Sequence, residues 1–167
     1  LRTTPAGEFG YDTVYGGAGN DRFFFGSGSA SGFGGPGDDI FYAGAGTFVA
    51  IGQQGYDKVM VDVDPADLIF QYMQGYANDF YGIGFTDGRS LGSIDTIDEV
   101  VFGDKVWRVS EDDHADIGGY YKLVETASGL KLSLVATFED TQDNPTLVWE
   151  LTRGEVVVAT DGDDIIE

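Results

Sequence analysis

The chain of 167 residues contains no cysteine, so neither a disulfide nor a thiolate metal site holds it together. His114 is its one histidine; a His-rich zinc site is therefore excluded, and no Ser-His-Asp triad is signalled. No run of about 18 apolar residues occurs, so no span of a membrane is expected. Basic residues are scarce, nine against 29 acidic ones, and the formal net charge is −20. Such a field repels phosphate backbones, and nucleic acid is not an expected partner. The acidic excess is uneven: residues 1–60 hold six acids and three bases, and residues 61–167 hold 23 acids and six bases. Apolar spacing at 3.6 residues is missing over any useful length, which argues against long helices. Leu1 to Ala6 has neither the basic nor the apolar region of a signal peptide, as expected of a cut inside a longer protein.

Glycine, by contrast, is abundant at 26 residues, and much of it is periodic. From Gly7 to Met60 the chain divides without gaps into nines: GEFGYDTVY, GGAGNDRFF, FGSGSASGF, GGPGDDIFY, AGAGTFVAI and GQQGYDKVM. The fourth position is always glycine, at Gly10, Gly19, Gly28, Gly37, Gly46 and Gly55. The sixth is aspartate in four units, Asp12, Asp21, Asp39 and Asp57. The eighth is apolar or small: Val14, Phe23, Gly32, Phe41, Ala50 and Val59. Glycine permits a sharp turn at positive φ, and the last three residues of each unit then form a short strand with its middle side chain inward. A flexible glycine-rich linker would not keep glycine, aspartate and apolar positions in one register over six units.

This pattern resembles the RTX nonapeptide G-G-x-G-x-D-x-U-x of the calcium-binding parallel β-roll. The resemblance implies an all-β fold, a short parallel roll with two units per coil, and calcium held between loops stacked on one edge. Units opening at Gly16, Gly34 and Gly52 share an edge and keep Asp21, Asp39 and Asp57. On the other edge the aspartate position holds Asp12, Ala30 and Phe48, so one edge is expected to bind metal and the other largely not. The implied metal set is Asp21, Asp39 and Asp57 with turn residues Gly16, Ala18, Gly34, Pro36, Gly37, Gly52 and Gly55, and Asp12 on the second edge. Carboxylates and turn carbonyls are the hard oxygen donors that calcium prefers. The plain competing reading is that these aspartates only form turns. Inside the roll, Phe23, Phe41 and Val59 are expected to face Val14, Gly32 and Ala50, large against small.

After Met60 the period stops. Asp64-Pro65-Ala66-Asp67 reads as a turn, Leu68 to Met73 and Phe80 to Phe85 as strands about a turn at Gly75 to Asp79, and Thr86 to Arg89 as another turn. Residues 93–107 are similar to the segment T-D-x-I-x-x-I-E-x-V-x-F-x-D-G-x-V that often follows RTX arrays, with Lys105 where that pattern usually has glycine. Tyr120 to Glu125, Leu130 to Phe138, Leu147 to Leu151 and Val156 to Ala159 complete the strand candidates. Residues 61–158 are thus expected to form an antiparallel β cap over the end of the roll, residues 1–60. Residues 159–167 return to the repeat, with Gly162 at position four, Asp164 at six and Ile166 at eight, as though a further RTX block of the same polypeptide begins there.

Two acidic clusters, Asp62, Asp64 and Asp67, and Glu111, Asp112, Asp113 and Asp116, read either as accessory calcium sites or as solvated loops. Neither has the EF-hand spacing. Asp64-Pro65 is the bond type cut by self-processing modules of some RTX proteins, but an Asp-Pro turn explains it as well. Trp107, Trp149, Tyr120 and Tyr121 are candidates for an aromatic platform that stacks on sugar rings, against a plain role in the core of the cap. No catalytic residue is expected. The resemblance implies a calcium-binding module that folds on calcium outside the cell, part of a larger type I secreted bacterial adhesin, surface-layer protein, toxin or exoenzyme. The alternative is a carbohydrate-binding module whose partner is a cell-surface glycan.

Overall fold

The computed structural model describes residues 11–73, 80–110 and 117–142. Among them, thirteen strands form one sheet. The first six follow the nonapeptides: β1 Tyr11–Tyr15, β2 Arg22–Phe24, β3 Ser29–Pro36, β4 Ile40–Tyr42, β5 Phe48–Gln54 and β6 Lys58–Val61. Odd strands stack in parallel on one side of the roll and even strands on the other. Each eighth position therefore lands beside its counterpart one coil away: Val14, Gly32 and Ala50 in one column, Phe23, Phe41 and Val59 in the other.

Large faces small, as the pattern requires. The rings of Phe23 and Phe41 stack with centroids 4.5 Å apart, both fully buried. A Cβ at Gly32 would stand 3.0 Å from each of them, so the missing side chain makes room for the two rings. The second edge is closed by apolar side chains. Phe25, Ala30 and Phe48 are buried there, with Phe25 and Phe48 stacked at 5.6 Å.

The remaining strands are β7 Leu68–Tyr72, β8 Phe80–Phe85, β9 Ser90–Asp95, β10 Glu99–Phe102, β11 Lys105–Arg108, β12 Gly119–Thr126 and β13 Gly129–Thr137, followed by the short helix α1 Phe138–Gln142. Pairings β7–β8, β8–β9, β10–β11, β7–β12 and β12–β13 are antiparallel. The parallel ladders themselves run on past residue 60, because β9 adds to β5 and β10 adds to β6. Ile94 falls beside Ala50 and Val100 beside Val59, so the inward apolar column continues although the nine-residue spacing is gone. Residues 62–73 and 80–89 leave the roll between these two coils, turning first at Pro65–Asp67, where Asp64 accepts a hydrogen bond from the Ala66 N–H at 3.0 Å. The order β1-β3-β5-β9-β8-β7-β12-β13-β11-β10-β6-β4-β2 leaves both sheet edges, β1 and β2, in the first coil. At the other end, the apolar side chains that a solenoid would expose run without a break into Phe70, Tyr81, Trp107, Tyr121 and Leu132.

Candidate metal centre

The three loops of the regular edge lie between β1 and β2, β3 and β4, and β5 and β6. Each enters through a residue at positive φ: Gly17 at 99°, Gly35 at 109° and Gln53 at 82°. Each leaves its fourth position at positive φ too, at Gly19, Gly37 and Gly55, with φ of 108°, 139° and 130°. Two such residues per loop curl the backbone tightly enough to bring the sixth-position carboxylate back toward the first glycine of its own unit. A Cβ at Gly16 would stand 2.7 Å from Asp21 Oδ2 and 2.6 Å from the Gly34 carbonyl oxygen. At Gly34 it would overlap Asp39 Oδ2 and meet the Gly52 carbonyl at 2.8 Å, and at Gly52 it would overlap Asp57 Oδ2 and the Thr96 carbonyl. Every opening glycine is thus a cradle flanked by one carboxylate oxygen and one carbonyl oxygen.

The carboxylates also link the coils. Asp39 Oδ1 accepts the Asp21 N–H at 2.7 Å, Asp57 Oδ1 accepts the Asp39 N–H at 2.8 Å, and Asp98 Oδ2 accepts the Asp57 N–H at 2.7 Å. A second rail runs beside the first, in which Asn20 Oδ1 accepts the Asp38 N–H at 3.0 Å and Asp38 Oδ1 accepts the Tyr56 N–H at 2.9 Å. The carbonyls of Gly34 and Pro36 accept the N–H groups of Gly17 and Gly19.

One oxygen in each pair is thereby satisfied and the other is not. Asp39 and Asp57 are 0 % and 1 % exposed, and their Oδ2 atoms are buried without a hydrogen bond. Burial raises the Asp57 carboxyl to about 6; the charges of Asp39, Asp98 and Asp38 add to this, and the Asp39 N–H opposes it. Asp39 is raised as well, first by burial and then by Asp21 and Asp38, against the Asp21 N–H. A buried, half-paired carboxylate costs several kcal/mol, of order 1–3 or more, unless a counter-charge meets it. Carboxylate and carbonyl oxygens around a glycine cradle suit a hard divalent cation such as calcium. Among the described residues no three acidic or histidine side chains converge, so each point offers one carboxylate with backbone oxygens beside it.

Of the residues expected from sequence, Gly16, Asp21, Gly34, Asp39, Gly52 and Asp57 come together on this edge with Pro36, Gly37 and Gly55 in the same loops; Ala18 is exposed in the first. Asp12 is not brought to them. It lies in register with Ala30 and, beyond it, Phe48, in the apolar column of the other edge. Asn20, Asp38, Thr96 and Asp98 also join the edge, although none stands at the aspartate position of a nonapeptide. Asp98-Glu99-Val100 does repeat the D-x-U of Asp57-Lys58-Val59, a signal hidden by the loss of the nine-residue frame.

The aromatic platform needs correction. Trp107 is fully buried, edge-on to Phe70 and Tyr81 at 5.1 and 5.3 Å, and Tyr121 is 2 % exposed, so neither presents a face to a sugar. Tyr120 is half-buried and packs edge-on against Phe138; Trp149 lies outside the described residues. Asp62, Asp64 and Asp67 are exposed, while Glu111 to Asp116, with His114, also lie outside.

A profile of the RTX calcium-binding nonapeptide repeat matches the chain in four copies, over residues 6–30 and 33–47. Comparison with curated proteins and with solved structures gives no match.

Proposed function

We propose that the nonapeptide array, which the profile of the RTX calcium-binding repeat matches over residues 6–30 and 33–47, is a calcium-binding structural module that folds on calcium outside the cell. Its role is architectural rather than catalytic: it folds and spaces part of a larger, type I secreted bacterial protein such as an adhesin, surface-layer protein, toxin or exoenzyme. The observation that carries this reading is the pair of buried Oδ2 atoms of Asp39 and Asp57, which have no hydrogen-bond partner among the described residues. Extracellular-type calcium sites bind with Kd of order 10⁻⁴ to 10⁻³ M, so they stay empty at cytosolic calcium and fill outside. An empty edge leaves buried carboxylates uncompensated, and occupation removes that cost, which couples binding to folding.

Chelated protein titrated with calcium is expected to bind the ion and gain far-ultraviolet strand signal together. Asp39→Ala should weaken this response at least tenfold and Asp12→Ala only slightly, because Asp12 sits on the apolar edge. A fully formed fold that binds no calcium, or equal losses in the two variants, would overturn the reading.

A further inference from the structure

Two of the three cradles are closed by the repeat itself: the Gly34 carbonyl reaches over Gly16, and the Gly52 carbonyl over Gly34. The strand stacked on the Gly52 unit, β9, belongs to no nonapeptide. The Gly52 cradle is closed by the carbonyl of Thr96, in the turn between β9 and β10. We propose that this turn, which belongs to no repeat, completes a third calcium site whose protein oxygens are Asp57 Oδ2 and the Thr96 carbonyl; the proposal rests on the calcium-binding reading above.

Both oxygens crowd the same point beside Gly52, within the span that one calcium bridges at about 2.3–2.6 Å from each oxygen. Asp57 is 1 % exposed and its Oδ2 has no hydrogen bond, so a buried anionic oxygen aims into the cradle unpaired. Thr96 has φ of 50°, a left-handed conformation that is costly for a β-branched residue. Its hydroxyl holds it there, donating to the Asp95 carbonyl at 2.7 Å and accepting the Gln53 N–H at 2.8 Å. Asp98 acts as a positioning residue, fixing the Asp57 loop through its N–H. The remaining coordination positions fall to further carbonyls and water.

The test is calorimetric titration of the full chain with calcium chloride, alongside the ¹³C carbonyl resonance of Thr96 in the unsubstituted protein. Three ions are expected. Thr96→Val, which lacks the hydroxyl and resists positive φ, should lose one of them, whereas Thr96→Gly keeps the backbone conformation and should retain all. Gly34→Ala fills a different cradle, so combined with Thr96→Val it should lose two. The Thr96 carbonyl resonance should shift on saturation, a readout that needs no variant to fold. Calcium uptake with an unmoved Thr96 resonance and an unchanged ion count in Thr96→Val would overturn this site alone. No uptake by the unsubstituted chain would overturn it together with the reading beneath it.

Discussion

Gln53 occupies the second position of the last nonapeptide, where the two preceding units of the same edge have Gly17 and Gly35. It keeps their backbone conformation, with φ of 82°, so a side chain has been accepted where the loop geometry favours none. Gln53→Gly is expected to raise stability by roughly 1 kcal/mol, relief of left-handed strain less the entropy that glycine adds to the unfolded chain, read from urea denaturation. Four residues on, Asp57 sets a pH dependence. Its carboxyl is near 3.8 when exposed and about 6 in the fold, so between those values the folded state holds a proton that the unfolded chain has released. In metal-free protein this contribution is whole below about pH 4 and is lost as pH rises through about 6. Calcium needs the ionised form, so its apparent affinity should fall as pH drops below about 6. Urea midpoints of metal-free protein and calcium titrations across pH 4–8 check both signs.

Among the elements, the two ladders of the roll fit together at one glycine, Gly32, in the column Val14, Gly32 and Ala50. The Phe23 and Phe41 rings occupy the volume that side chains at Gly32 would need, and β2 and β4 are held at that spacing by a stack of rings rather than by backbone pairing alone. Gly32→Val inserts three carbons into this filled layer and is expected to cost about 1–3 kcal/mol or more by overpacking. Calorimetric melting of the calcium-loaded protein measures it. The outer face carries its own aromatic ladders, Tyr15 on Phe33 at 4.9 Å and Phe24 on Tyr42 at 4.6 Å, set by ninth-position residues coming into register every second unit. The inward eighth-position columns are legible in the sequence because they follow from the period; the outer ladders follow from the same period one residue on. The continuation of the ladders into β9 and β10 is not legible there, because register across a 41-residue separation, as between Asp57 and Asp98, leaves no periodic trace.

For the whole molecule, the consequence of one sheet and one main core is cooperativity. Phe23 in the second strand and Trp107 in the eleventh belong to the same apolar cluster, which runs from the roll into the cap. Chelation that releases the calcium edge should therefore loosen the surroundings of Trp107 as well. In a Trp149→Phe variant, the red shift of Trp107 emission is expected to overlay the loss of far-ultraviolet strand signal as calcium is withdrawn. Emission that stays blue while the strand signal falls would show that the cap stands by itself. The net charge of −20 adds to the effect, since self-repulsion opposes compaction most when divalent cations are absent.

Sequence by itself determined the all-β class, the parallel roll, the carboxylate-bearing edge and the facing of large residues against small, because a repeat states its contacts locally: one unit specifies what every neighbour meets. Tertiary structure decided what closes the array. Chain topology brings Thr96 and Asp98 onto the last loop and turns Trp107 and Tyr121 inward, and Asp12 falls in a column with no second carboxylate. Each outcome depends on which distant strands pair, and pairing at a distance is settled by the burial of whole surfaces rather than by any local motif.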